Sequence, residues 1–255
     1  MMEQWIVIGI SGVTCSGKTT LAQTLYDHLK SLTRQELKAG LELNRVELIN
    51  QDSYFRELND PNHQIIEKLN HFNWEVIESI DMDKMINDVM RILGTNFHLY
   101  KTRSCSLASN SLNENIFYHH YMEYSNNQHM RAVSGSDELF LTLDDRCKFK
   151  KLVKHNSLLN ILIIEGFLIF NHPVTYDLCN IKFHLHVQYE VCYSRRIKRT
   201  YDPPDVPCYF EMVVWPLYEK HLQEFKDREE VTFLNGDAPP DKCFHFVLKS
   251  LMDEI

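Results

Sequence analysis

The feature that most constrains this chain is the run Gly12-Val13-Thr14-Cys15-Ser16-Gly17-Lys18-Thr19, which fits the pattern G-x-x-x-x-G-K-[ST]. A loop of this kind works only between a strand and a helix, where backbone N–H groups and the positive end of the helix dipole converge on phosphate. Both flanks are present. Trp5 to Ile10 is a continuous apolar run, as expected of a strand buried on both faces. Leu21, Ala22, Leu25 and Leu29 then recur at helical spacing between Lys18 and Lys30. Residues Gly12, Val13, Thr14, Cys15, Ser16, Gly17, Lys18, Thr19 and Thr20 are therefore expected to hold a nucleoside triphosphate. Lys18 would reach the β- and γ-phosphates, and the Thr19 hydroxyl would serve magnesium.

The rest of the chain alternates strands and helices. Arg45 to Asn50, Leu159 to Ile164, Ile181 to Val187 and Val231 to Leu234 read as further strands. Trp74 to Leu93, Tyr189 to Arg199 and Trp215 to Arg228 read as helices, with Ile77, Ile80, Met85, Val89 and Leu93 along one side of the first. That order predicts a parallel sheet with right-handed crossovers, in one domain over 1–255. Residues 94–158 are rich in Ser, Asn and His and read as a long, mobile surface insertion, flanked by two segments that could pair as strands, NFHLYK and ELFLTLD. Within it His119, His120 and His129 have no ligand spacing that would make a metal site.

Two acids follow strands on the side where open parallel sheets bind ligands: Asp52 after the second strand and Glu165 after the third. The loop alone leaves the fate of the γ-phosphate open. Neither D-x-x-G nor N-K-x-D occurs, which argues against a GTPase switch. The third strand ends Glu165-Gly166, without the Asp-Glu pair of a motor ATPase. A small kinase needs a base at the acceptor hydroxyl, a magnesium site and arginines for the phosphate charge. Asp52 can be that base, Glu165 and Thr19 can serve magnesium, and RRIKR at 195–199 can supply guanidinium groups or form a solvated basic face. On a helix Arg195 and Arg199 share a side and Arg196 turns elsewhere. Pro203, Pro204 and Pro207 then stiffen the connector, as suits a lid over 195–210 or an ordinary rigid loop.

Composition narrows the class further. The net charge of −8 disfavours a general nucleic-acid binder, and no apolar run approaches the ~20 residues of a membrane span. Seven cysteines, an odd number with no C-x-x-C pair, fit reduced thiols in a cytoplasmic enzyme, with nuclear access left open.

The blocks GISGVTCSGKTTLA, INQDSYF, NWEVIESIDMDKM, ILIIEGFLIFN, YDPPDVPCYF and VWPLYEKH together resemble nicotinamide riboside kinases, of the uridine kinase-like branch of phosphate-loop kinases. The resemblance implies a three-layer α/β/α nucleoside-kinase fold with a lid. It also implies transfer of the ATP γ-phosphate to the ribose 5′-hydroxyl of nicotinamide riboside, with nicotinic acid riboside accepted too, a step of NAD salvage. A uridine or cytidine kinase, or a scaffold that keeps the kinase fold, are the alternatives. On this resemblance Asp52 is the proton acceptor, with Thr19, Asp52 and Glu165 around magnesium. Phe55 and Trp74 hold the pyridine ring, and Glu75 and Arg196 meet the ribose or acceptor end. Arg195, Arg199, Thr200 and Tyr201 belong to the ATP side, and Asp237, Ala238 and Pro239 lie near adenine. Glu75 stands where the family usually has Asp, and Trp74 where tyrosine is more usual. A cationic pyridinium suits aromatic faces, which attract cations by about 0.5–2 kcal/mol.

Overall fold

The computed structural model describes residues 2–38, 40–94 and 157–255. The strand readings NFHLYK and ELFLTLD, His119, His120 and His129, and nearly all of the expected insertion lie outside them.

In chain order the main elements are β1 (Met2–Gly12), α1 (Lys18–Ser31), β2 (Glu36–Lys38), β3 (Leu41–Asn50), β4 (Ile65–Ile66), β5 (His71–Phe72) and α2 (Met82–Leu93). After the undescribed residues come β6 (Ser157–Gly166), α3 (Pro173–Leu178), β7 (Ile181–His186), α4 (Tyr189–Arg196), α5 (Trp215–Gln223), β8 (Val231–Asn235) and α6 (Pro240–Glu254). Six strands form one sheet in the order β2-β3-β6-β1-β7-β8. Every pairing is parallel except that of β2 with β3.

The alternation of β1 explains the layers. Ile6, Ile8 and Ile10 enter a core with Leu21, Leu25 and Leu29 of α1 and Val247 and Leu251 of α6. Trp5 and Val7 face the other way, into a core with Met85 and Val89 of α2. The central strand is buried on both faces, so a continuous apolar run is the correct signal for it.

Three expected helices are shorter than their periodicity. Ile77 and Ile80 carry the apolar stripe, but Ile77–Ser79 is a single 3-10 turn. The Ser79 hydroxyl donates to the carbonyls of Trp74 and Val76, closing a loop, and Asp81 starts α2 by accepting from the Lys84 N–H at 3.0 Å. Trp74 and Glu75 therefore stand on a loop. The basic helix stops at Arg196, and Arg199 lies in the turn beyond, where its N–H reaches the Arg196 carbonyl at 2.9 Å. The third, α5, runs only to Gln223 but continues from a π-helical turn, Phe210–Val214. The antiparallel β2, the β4–β5 hairpin, α3 and α6 have no counterpart among the elements expected from the sequence.

His184 of β7 makes a measurable prediction. Its ring is buried among Tyr218, Phe225 and Phe233, and burial, helped by His186 and Lys18, holds it down to about 3 from an ordinary 6.5. Between these values the unfolded chain carries a proton that the folded chain refuses, so stability falls as pH drops below the unfolded value. The slope reaches about 1.4 kcal/mol per pH unit. In urea titrations His184→Phe is expected to lose about 2 kcal/mol less than the wild type between pH 7 and pH 5. Equal losses in both would refute the assignment.

Candidate active site

The sheet register assembles the site at the carboxyl ends of its strands. Asn50 of β3 and Ile10 of β1 both pair with Glu165 of β6, while Ser11 pairs with His184 of β7. The phosphate loop leaves the central strand at this level. Its Ser16 N–H donates to the Val13 carbonyl at 3.1 Å, and Cys15 and Gly17 take left-handed backbone angles, with φ of 61° and 94°. Glycine relieves that strain at the second position. Helix α1 then begins at Lys18 with no side-chain cap and no acid in its first turn. Its first N–H groups have no intrahelical acceptor, which leaves a site for an anion.

Lys18 is buried, and its charge partly offsets the rise that burial imposes on the Glu75 and Glu165 carboxyls. Thr19 Oγ1 donates to Glu165 Oε2 at 3.3 Å. Burial pushes the Glu165 carboxyl up to about 6, Lys18 opposes this and Asp52 adds to it. A cleft of about 260 Å³ opens here, with Thr19, Gln23, Asn50, Ser53 and Glu165 among its walls.

Asp52 lies in the 3-10 turn Gln51–Tyr54 that follows β3, and is exposed. Its N–H donates to Asn50 Oδ1 at 2.8 Å. The buried Gln51 ties this turn to the end of β6: its Oε1 accepts from the Leu168 N–H at 2.9 Å. A side chain at Gly166 would come within 2.4 Å of Gln51, so only glycine lets the two strand ends meet.

Arg195 joins two loops. Its Nη1 donates to the carbonyls of Cys15 and Gly236, each at 3.1 Å, and its guanidinium lies 3.8 Å from Asp237. Gly236, Asp237, Ala238 and Pro239 thus follow β8 directly beside the phosphate loop. Tyr201 approaches from the other side, its hydroxyl 3.4 Å from Thr14 Oγ1. Arg199 and Thr200 are exposed, and the expected shared face of Arg195 and Arg199 does not form because α4 ends between them. Thr20 is exposed on the first turn of α1.

Arg196 turns inward. Its side chain is 6% exposed and forms a two-pronged pair with Asp205, Nε to Oδ2 at 2.7 Å and Nη2 to Oδ1 at 3.0 Å. Its Nη1 meets Glu75 Oε1 at 3.4 Å, and its guanidinium lies 4.5 Å from the Tyr201 ring centre. These partners hold Arg196 in its charged form against burial. The Glu75 carboxyl is raised by burial, with Arg196 pulling the other way. The Trp74–Glu75 loop is fixed from outside. The Trp74 N–H donates to Tyr209 Oη at 2.9 Å, and His221 Nε2 to the Glu75 carbonyl at 2.9 Å.

Phe55 and Trp74 meet edge to face at 5.7 Å, and Phe55 stacks on Phe167 at 5.9 Å. They form one aromatic wall rather than two sides of a slot. Phe55 is 37% exposed, so its side of the wall can receive a flat ring.

With this geometry in place the relatives are informative. The chain is 31% identical to nicotinamide riboside kinase 1 of Homo sapiens, over 98% of this chain and 93% of that protein. It belongs to the nicotinamide riboside kinase family. It is 29% identical to nicotinamide riboside kinase 2 of Mus musculus, over 98% of this chain and 97% of that one. A uridine kinase of Shewanella denitrificans is 19% identical over 92% of this chain and 89% of its own. No family model matches the chain.

The nicotinamide riboside kinase blocks quoted above contain Asp205, Gln51 and Tyr209, yet sequence reasoning assigns them no role. Asp205 has a signal, an acid fixed between prolines just after a basic helix. Gln51 and Tyr209 have none, because their partners are brought to them only by the fold.

The residues present also fit a magnesium ion. Glu165 Oε1 is buried without a hydrogen-bond partner among the described residues, beside the Thr19 hydroxyl. Hard divalent cations take such oxygens. Among the described residues no three His, Cys, Asp or Glu side chains converge to hold a metal alone. No helix of the described residues is long and apolar enough to cross a membrane.

Proposed function

We propose that this chain is a cytoplasmic kinase that transfers the γ-phosphate of ATP to the 5′-hydroxyl of nicotinamide riboside, giving the mononucleotide for NAD salvage. The observation that carries this is near full-length similarity to two nicotinamide riboside kinases, joined to a phosphate loop, two strand-end carboxylates and an aromatic wall that begins just beyond the carboxyl ends of β3 and β6. The phosphate loop and Lys18 bind the donor, and Arg195 fixes the loop against the 236–239 segment that flanks adenine. Asp52 takes the proton from the acceptor hydroxyl. Phe55 and Trp74 offer aromatic faces to the pyridinium, and Arg196, set by Asp205 and Glu75, closes the acceptor end. Thr19, Asp52 and Glu165 would hold magnesium, which supplies charge neutralisation between the phosphates. The segment 195–210 acts as the lid, with Tyr201 resting on the phosphate loop.

Incubation with Mg-ATP and nicotinamide riboside is expected to yield the mononucleotide, identified by mass. Turnover of uridine or cytidine with no pyridine mononucleotide would overturn this reading and favour the pyrimidine alternative, consistent with the more distant uridine kinase similarity.

A further inference from the structure

Trp74 and Glu75 stand on a loop, so no helix or strand ladder fixes their backbone. Loop residues at a site need a rigid neighbour to place them. The Glu75 N–H stays within the loop, donating to Asn73 Oδ1 at 3.2 Å. The Glu75 carbonyl reaches out of it and accepts from His221 Nε2 at 2.9 Å. A carbonyl only accepts, so Nε2 carries the proton whatever the charge of the ring. His221 lies on α5, 146 positions from Glu75 in sequence, and its side chain is mostly buried.

His221 is itself pinned. Asn171, in the turn after β6, donates from Nδ2 to the His221 carbonyl and to Glu224 Oε2, each at 2.9 Å. Glu224 Oε1 lies 3.7 Å from His221 Nδ1. The strand that brings Glu165 is thereby tied, through α5, to the loop that brings Glu75. We propose that His221 is a positioning residue for the acceptor site: by holding the Glu75 carbonyl it sets where the Glu75 carboxylate meets Arg196, 3.4 Å away, and so how tightly the ribose is bound. The proposal rests on the reading above, in which Arg196, set by Glu75, closes the acceptor end. A misplaced loop weakens acceptor binding and leaves the phosphate loop and Lys18 as they were.

The test is steady-state kinetics with each substrate varied in turn. His221→Phe is expected to raise the KM for nicotinamide riboside about tenfold, as one lost buried hydrogen bond can, with kcat and the KM for ATP near the wild-type values. His221→Gln, whose side-chain N–H can stand in for Nε2–H, is expected to bring the riboside KM back to within about twofold of the wild type. A residue that only stabilised the fold would lower the Tm and leave both KM values alone. An unchanged riboside KM in His221→Phe, an ATP KM that rises with it, or a His221→Gln no better than His221→Phe overturns the proposal. If His221→Phe does not fold, His221→Asn, polar but too short to reach the Glu75 carbonyl, decides by the same split. A wild type that turns over uridine and neither pyridine riboside overturns the parent reading alone, and the same split measured with uridine then decides the role of His221.

Discussion

Asp52→Asn is expected to lower kcat by about 10²-fold or more while leaving ATP affinity near that of the wild type. The exchange keeps the size of the side chain. The turn that carries it is set by Asn50, Gln51 and Gly166, none of which the substitution touches. What it removes is an exposed carboxylate close enough to push up the pKa of both Glu75 and Glu165. A proton acceptor has to be within reach of the substrate hydroxyl, whereas on the proposed reading the donor is held by the phosphate loop and Lys18, which follow a different strand, β1. Steady-state kinetics with calorimetric titration of the nucleotide separates the two. Near-normal turnover in Asp52→Asn would reject the role, and a parallel loss of nucleotide binding would show that Asp52 acts through magnesium rather than as the proton acceptor.

Arg196→Leu is expected to cost about 3 kcal/mol of stability as well as acceptor affinity, because it strands Glu75 and leaves the partly buried Asp205 unpaired. Glu75 is 13% exposed and Asp205 27%, and both lean on the same guanidinium. Leucine fills part of the volume but leaves Glu75 only the weaker influence of Lys18 as counter-charge. Pairing Arg196→Leu with Glu75→Gln should recover part of the loss, since the neutral amide removes the stranded charge. Chemical denaturation of the four members of this cycle gives the coupling directly. Additive losses would mean that the 3.4 Å contact carries no weight.

Features written locally in the chain are legible from its residues alone. The phosphate loop joins a buried apolar strand to an amphipathic helix, and all of its parts are neighbours in sequence. Glu165 and Asp52 are legible because a strand end in a parallel sheet is itself a prediction of place. The loop that carries Trp74 and Glu75 is not. Ile77 and Ile80 have helical spacing, and only the Ser79 hydroxyl bonds and the Asp81 cap reveal that the backbone turns away. The Arg196 cluster is half legible. Its basic helix announces itself, but which arginine goes inward depends on Asp205 and on Glu75, the latter 121 positions distant.

The strand order has a consequence for how the enzyme comes into being. β6 lies between β3 and β1, yet it follows β3 by more than a hundred positions, and it brings Glu165. A nascent chain that has emerged only as far as α2 holds the phosphate loop and Asp52 with the middle of its sheet absent. Loop closure over that length is slow to form and is repaid only once both neighbours are paired. Catalytic competence therefore requires a strand made in the second half of synthesis to wedge between two made in the first.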